Sequence, residues 1–373
     1  MHTPPFCPNR HCLFHTSPPS GRSWYVRNGS YRSTLFGPVQ RFRCRQCGSG
    51  FSSQTFSLDF YVKRKVDYHT LLNHLITSSG IRDMARVLKV SRGTVTNRIS
   101  RLARQAIAIH ADLSAQLDLG EDLVADGFES FVLSQYFPNN IHILAGKASQ
   151  FWIFSGYAHL RRKGRMTVCQ KQRNSLLQDR FTVGRTTIYH SFGELIQSVL
   201  ELQTHSRNKN IRLYTDEHFQ YRRVMKSLPE EQRRRIRHVR ISSRLPRTVG
   251  NELFSVNYLD REIRKDTAEH TRETVQFARS AGNSMERLAI YRLHHNYRKA
   301  YRENGAEFRT ESHASVAGID PQAVRRELKS LFTRRRFLSR ISQIPLNEVR
   351  LWMRKVATPL KEKADYLPAY ALE

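Results

Sequence analysis

Three acidic positions stand where elements change: Asp126 after the apolar run Leu123, Val124, Ala125 and before Gly127; Asp216 at the end of NIRLYTDEH; and Asp260, with Glu262, opening the helical pattern VNYLDREIRK. The run before Asp126 reads as a buried strand, and Ile211, Leu213 and Tyr214 alternate with polar neighbours as a second strand ending at Thr215 and Asp216. Carboxylates on rigid element ends are charged, hard oxygen donors suited to divalent cations. The chain carries 62 Lys and Arg against 32 Asp and Glu, a formal charge of +30. Such a balance predicts a polyanionic partner bound with strong salt dependence. Together these features point to a carboxylate metal site within a nucleic-acid-binding surface.

The elements that must position such a site can be read in order. Four of the five cysteines lie in the first 47 residues, Cys7 and Cys12 as C-x4-C, Cys44 and Cys47 as C-x-x-C. Two close pairs with a longer insert resemble a zinc ribbon, in which two knuckles supply four thiolates to one Zn²⁺. Two disulfides are the alternative. His11 and His15 lie close enough to replace a cysteine of the wider first pair. Cys169 stands alone and reads as an ordinary thiol.

A helical region follows, with Val66, Leu71, Leu72, Leu75 and Ile76 at helical spacing until Gly80. IRDMARVLKVSRGTVTNRISRLARQ then reads as a helix-turn-helix. Ile81, Met84, Ala85 and Leu88 face inward on its first helix, Val95, Ile99 and Leu102 on its second, and Ser91 caps the second. Lys89 occupies the turn where glycine is common. The exposed face of the second helix is expected to carry Arg92, Thr94, Thr96, Asn97, Arg98 and Arg101, residue types that reach base edges and phosphates of double-stranded DNA. A plain helical hairpin is the alternative.

Residues 106–120 read as a helical connector. Beyond the strand to Asp126, Ile141, Ile143 and Leu144 make one strand and Phe151 to Phe154 another, with PNN, GKASQ and HLRRKGRM as turns. A helix over residues 192–202 precedes the strand to Asp216. The fold class expected is α/β: a mixed-sheet domain of ribonuclease H-like type, preceded by the small ribbon and an all-α helix-turn-helix domain. In that topology the ends of the strands carrying Asp126 and Asp216 lie side by side. Boundaries fall at 1–60, 61–118, 119–302 and 303–373, the last a basic helical tail from about Gly305, with Val324, Leu328, Leu331 and Phe332 in one helix and NEVRLWMRKV in another. The sequence leaves open whether this tail packs on the sheet domain, grips DNA or self-associates. No apolar run approaches the roughly 20 residues of a spanning helix, and MHTPPFCPNR lacks a signal-type apolar region, so no membrane is expected and the cytoplasm is.

This order of ribbon, helix-turn-helix, two strands each ending in Asp, and a helix bearing an acid resembles the DDE transposases of bacterial insertion sequences over roughly residues 5–302. NELFSVNYLDREIRKDTAEHTRETVQFARS, followed by HHNYRKAY, carries the resemblance most strongly. It places the third acid at Asp260, three residues after Asn257 on one helical face, where most relatives have glutamate; Glu262 is the fallback. The resemblance implies two Mg²⁺ or Mn²⁺ ions, Asp126 bridging both and Asp216 and Asp260 each completing one, with cleavage and transfer of DNA strands by in-line displacement. It also implies a homo-oligomer on the DNA. Glu129 and Glu217 read as solvated carboxylates or auxiliary ligands, His218 and His270 as neighbours of the scissile phosphate or bystanders, and residues 233–247 and 161–165 as holders of the DNA backbone. A DNA-binding regulator that has lost catalysis would share the front end and differ only at the acids. An RNA-binding or general basic scaffold is disfavoured by the helix-turn-helix.

Overall fold

The computed structural model describes residues 3–21, 23–208, 210–271, 274–302 and 311–373. Gly305, where the tail begins in sequence, lies outside them, as do Arg272 and Glu273.

The N-terminal unit is a small antiparallel sheet of β1 (Tyr25–Ser33), β2 (Gly37–Cys44) and β3 (Gly50–Ser52), preceded by the single turn α1 (Leu13–Thr16). Its core is made of aromatic rings and cysteines. Trp24 stacks on Phe51 at 5.6 Å between centroids, and Phe42, Tyr25, Cys7, Cys12 and Cys44 pack around them. A sheet this short buries too little to stand on apolar area alone.

Three helices follow: α2 (Tyr68–Leu75), α3 (Ile81–Val87) and α4 (Arg92–Ser114). Asp67 caps α2, and Ser91 caps α4 by accepting from the Thr94 N–H at 3.2 Å. Lys89 takes the left-handed conformation the turn requires, with φ of 52°. Val95, Ile99 and Leu102 are buried as their spacing predicts. The expected helical connector is helical as far as Ser114 and continuous with the second helix of the pair, so that α4 runs unbroken from Arg92 to Ser114. Ala103, Ala106, Ile107, Ala108, Ile109 and Ala111 contain no breaker and are buried on every side, partly against α10 (Ala281–Tyr297). Alanine favours helix and permits close packing of neighbours.

The main sheet consists of β4 (Leu123–Phe131), β5 (Pro138–Gly146), β6 (Trp152–His159), β7 (Ile211–Thr215) and β8 (Ile236–Arg240), in the order β6-β5-β4-β7-β8. The first three are antiparallel, while β7 and β8 run parallel to β4. Helices α5 (Val168–Arg180) and α6 (Thr187–His205) lie between β6 and β7; α7 (Phe219–Ser227) and α8 (Glu230–Arg235) lead to β8; and α9 (Phe254–Asp266) follows it. One face of the sheet packs on α6, the other on α9.

Several expectations need correction here. Asp126 does not end its strand: β4 continues through Gly127 to Phe131, because Gly127 leaves space for Asn140 on β5, whose Nδ2 would lie 2.2 Å from an added Cβ. Pro138, Asn139 and Asn140 are strand rather than turn. Asn139 and Asn140 pair with Ser130 and Glu129, and the chain reverses at residues 132–137, with Leu133 at φ 65°. The 233–247 run contains β8, and α5 occupies a stretch that carried no helical assignment.

The tail packs. It contains α11 (His313–Val316), α12 (Pro321–Lys329) and α13 (Leu346–Trp352), with Asp320 capping α12. Between α12 and α13 it crosses the N-terminal unit and α4: Leu58 N–H donates to Thr333 O at 3.0 Å and Arg335 N–H to Phe56 O at 2.8 Å, while the Gln105 amide of α4 donates to Leu331 O at 3.1 Å. Arg335 is buried, donating to Thr55 O at 3.1 Å and to the Glu373 carboxylate at 2.7 Å, with Phe337 4.2 Å away. Contacts therefore cross the boundaries drawn at 60, 118 and 302.

Truncating a buried, charge-bonded arginine strands its acceptors. Arg335→Ala is expected to lower stability by about 2–4 kcal/mol and to raise amide exchange selectively over residues 53–60. Unchanged exchange there would show that the crossing does not hold the N-terminal unit.

Candidate functional site

The four N-terminal cysteines converge on one point. Cys7 Sγ lies 3.6 Å from Cys47 Sγ and Cys12 Sγ 3.8 Å from Cys44 Sγ, and all four sulfurs fall within 4.8 Å of one another. A tetrahedron of Zn–S bonds of about 2.3 Å has edges near 3.8 Å, so the set fits structural Zn²⁺. The cysteines are free thiols, in no disulfide. Burial pushes the Cys7 and Cys12 thiols up, while at Cys47 burial is outweighed by hydrogen bonds from Ser49 and the value falls to about 6. His15 does not substitute for a cysteine: its Nδ1 meets Cys7 O at 2.7 Å and its Nε2 meets Ser339 Oγ at 2.9 Å. His11 is exposed and accepts from Arg10. Cys169 is exposed on α5.

The aspartates are brought together by register. Leu123 pairs with Leu213 and Val124 with Tyr214 in the parallel ladder; continuing it places Asp126 beside Asp216, just past the end of β7. Strand alternation puts Asp126 on the face of Val124 and Phe128, which pack against Val256, Leu259 and Ile263 of α9. Asp260 lies on that helix, one position from Leu259. Burial, then the charge of Asp216, pushes the Asp126 carboxyl up to about 6. Burial, then Asp126, pushes Asp260 well above the usual carboxylate range. The three acids thus share one electric field. Among the described residues, however, the cysteines are the only set whose ligand atoms converge within 4.8 Å.

Two cations moderate the cluster. Arg247 places Nη1 2.8 Å from Asn257 Oδ1 and 3.9 Å from Asp126 Oδ2, and Arg264 covers Phe128 with its guanidinium 4.5 Å from the ring centre. Sequence reasoning put Arg247 among phosphate holders; no local signal marks it, since a loop carries it to the acids. Glu262 is occupied elsewhere, in a buried ion pair with Lys299. His218 N–H donates to Asp216 Oδ1 at 2.9 Å, so His218 belongs to the cluster's rim. His270 does not: it is buried, with Nδ1 2.9 Å from Ser130 Oγ and Nε2 3.3 Å from Ser284 Oγ. Glu129 and Glu217 are exposed.

The face of α4 divides. Arg92 is exposed and Thr94, Thr96 and Asn97 are half-exposed, but Arg98 and Arg101, expected on the same surface, are 5% and 6% exposed. Arg98 donates to Arg64 O at 2.8 Å, Arg101 to Leu58 O at 2.7 Å. Their long stems bury while backbone carbonyls accept hydrogen bonds from the guanidinium groups, which anchors α4 instead of presenting these arginines.

Two measurements follow from the electrostatics. Because folding raises the Asp126 pKa, its ionisation opposes folding: the group is neutral in both states well below pH 4, and its penalty is complete above pH 6. Asp126→Asn is therefore expected to stabilise metal-free protein at pH 7.5 by roughly 1–3 kcal/mol, and to leave stability unchanged near pH 3.5; a loss of stability at pH 7.5 would contradict a crowded carboxylate. Metal analysis is expected to find one zinc per chain, and replacing Cys44 and Cys47 together by serine is expected to abolish it, whereas retained zinc would disqualify the cysteine cluster. A scan against family models and a search of curated proteins both find no match to this chain.

Proposed function

We propose that the protein is a DNA transposase of the DDE type, joining a ribonuclease H-like catalytic sheet to a zinc ribbon and a helix-turn-helix that read the ends of its element. What supports this reading most is the placement of Asp126 and Asp216 level on adjacent parallel strands, with Asp126 close enough to Asp260 on the helix packed against them for each charge to be felt. The sheet order, with three antiparallel strands followed by two parallel ones, supports it, as does the helix pair α3 and α4 with its exposed Arg92.

Two divalent cations held by these acids would supply charge to both the attacking and the leaving oxygen of an in-line displacement. The chain's own residues set the conditions. Asp126, close to Asp216 and Asp260, concentrates negative charge in a largely buried place, which favours cation binding there. Arg247 holds part of that charge in check before cations arrive. Asn257, on the helix of Asp260, keeps Arg247 at the edge of the cluster. No side chain is required as a covalent nucleophile.

Incubating the protein with Mn²⁺ and a duplex carrying the DNA that flanks its own gene tests the reading. Cleavage at a defined end is expected, absent in Asp216→Asn despite equal binding. Tight end binding without cleavage by either protein would favour the regulator, the second reading that the exposed N-terminus of α4 allows. Because the proton leaves Asp126 only near pH 6, cleavage is expected to fall as pH drops below that value, with a midpoint that moves lower as Mn²⁺ rises.

A further inference from the structure

Between β6 and α6 the chain leaves the sheet edge and returns. The stem of this excursion is closed by Thr187 Oγ1 donating to His159 O at 2.7 Å and Arg161 Nε donating to Val183 O at 2.8 Å. Its body is α5, whose start is fixed by a reciprocal pair of hydrogen bonds between Thr167 and Gln170, and which buries none of its residues. Leu177 and Phe181 rest on the cluster of Val132, Tyr136 and Phe137 at the turn after β4. Gln170, Asn174 and Gln178 are half-buried, and Lys171, Gln172, Arg173, Ser175, Leu176, Asp179 and Arg180 face solvent.

Residues 161–185 hold eight Lys and Arg and a single acid, Asp179. Like charges at this density repel one another, and α5 offers almost no acid for pairing along its own surface. Position identifies what would relieve them. The turn after β4 lies on the same side of the sheet as the end of β7 from which Asp216 emerges, six residues further along β4 than Asp126, the side at which open α/β sheets bind ligands. The Gln220 amide donates to Arg185 O at 3.3 Å. Gln220 lies in the first turn of α7, four residues after Asp216.

We propose that the excursion 161–185 is a clamp for the phosphate backbone of the DNA duplex lying across the carboxylate cluster, a second DNA contact separate from α4. This rests on the transposase reading and deepens it. A projecting helix that offers Lys171 and Arg173 to solvent meets phosphate rather than base edges, so the clamp holds any sequence. Val168 and Leu176 are exposed singly and form no patch for an apolar partner.

The test replaces Lys163, Arg165 and Lys171, all exposed, by glutamine, with zinc content and far-UV dichroism as checks on folding. Affinity for a random-sequence duplex is followed across a salt titration, and alkylation of Cys169, in the first turn of α5, is followed by peptide mass spectrometry. The expected result is a salt slope reduced by about 2 to 3, with DNA shielding Cys169 in the wild type. A wild type that binds duplex with the same slope as the variant, and leaves Cys169 open to alkylation, overturns the clamp alone. A wild type that binds no duplex at all overturns the transposase reading and the clamp with it. Shielding of Cys169 that rises with protein concentration and needs no DNA overturns the clamp in favour of self-association.

Discussion

The parallel pairing of β4 with β7 is the constraint on which the rest depends. Two register pairs, Leu123 with Leu213 and Val124 with Tyr214, decide that the acids of the two strands become neighbours. A slip by one residue would turn Asp126 toward α6 and place Val124 and Phe128 on the wrong face. The apolar residues on both faces of β4 forbid that slip, since each face is already filled by a helix. The carboxylates are thus fixed by hydrophobic packing they take no part in.

Holding them costs free energy, and the surrounding charges show how the cost is limited. Burial and mutual repulsion raise the proton affinity of Asp126 and Asp260, while Arg247 and Arg264 act in the opposite sense on Asp260. Glu262, two positions from Asp260, is kept out of the cluster by Lys299 on the other side of α9. A helix separates the two acids by about 200° of rotation, so one acid faces the sheet and the other finds a structural partner.

Much of this was legible in the chain. The cysteine spacings, the Ser91 cap and the apolar runs of β4 to β7 depend on local pattern, and local pattern survives folding. What was hidden depends on partners far away. Arg98 and Arg101 read as surface residues because arginine almost always is; only the carbonyls of Arg64 and Leu58 explain their burial. β8 is an edge strand of five residues with a single buried one, Ile236, too little alternation to stand out among arginines. The second half of α4 was legible as helix, but its continuity with the first half and its burial were not, since a segment buried on all sides has no amphipathic period. Asp126 was placed at a strand end because a glycine follows it, whereas that glycine makes space for Asn140.

The crossing of the tail over the N-terminal sheet has a consequence for how the protein is made. The bond from Arg335 to Thr55 closes a loop of 280 residues. During synthesis at roughly 5–20 residues per second, the first strands leave the ribosome a quarter of a minute to a minute before the segment that seals them. In that interval the N-terminal unit has only its own rings and its cysteines to hold it. Capture of zinc by the nascent chain, ahead of any tail contact, would then guard the earliest-made part against misfolding and proteolysis until the last-made part arrives.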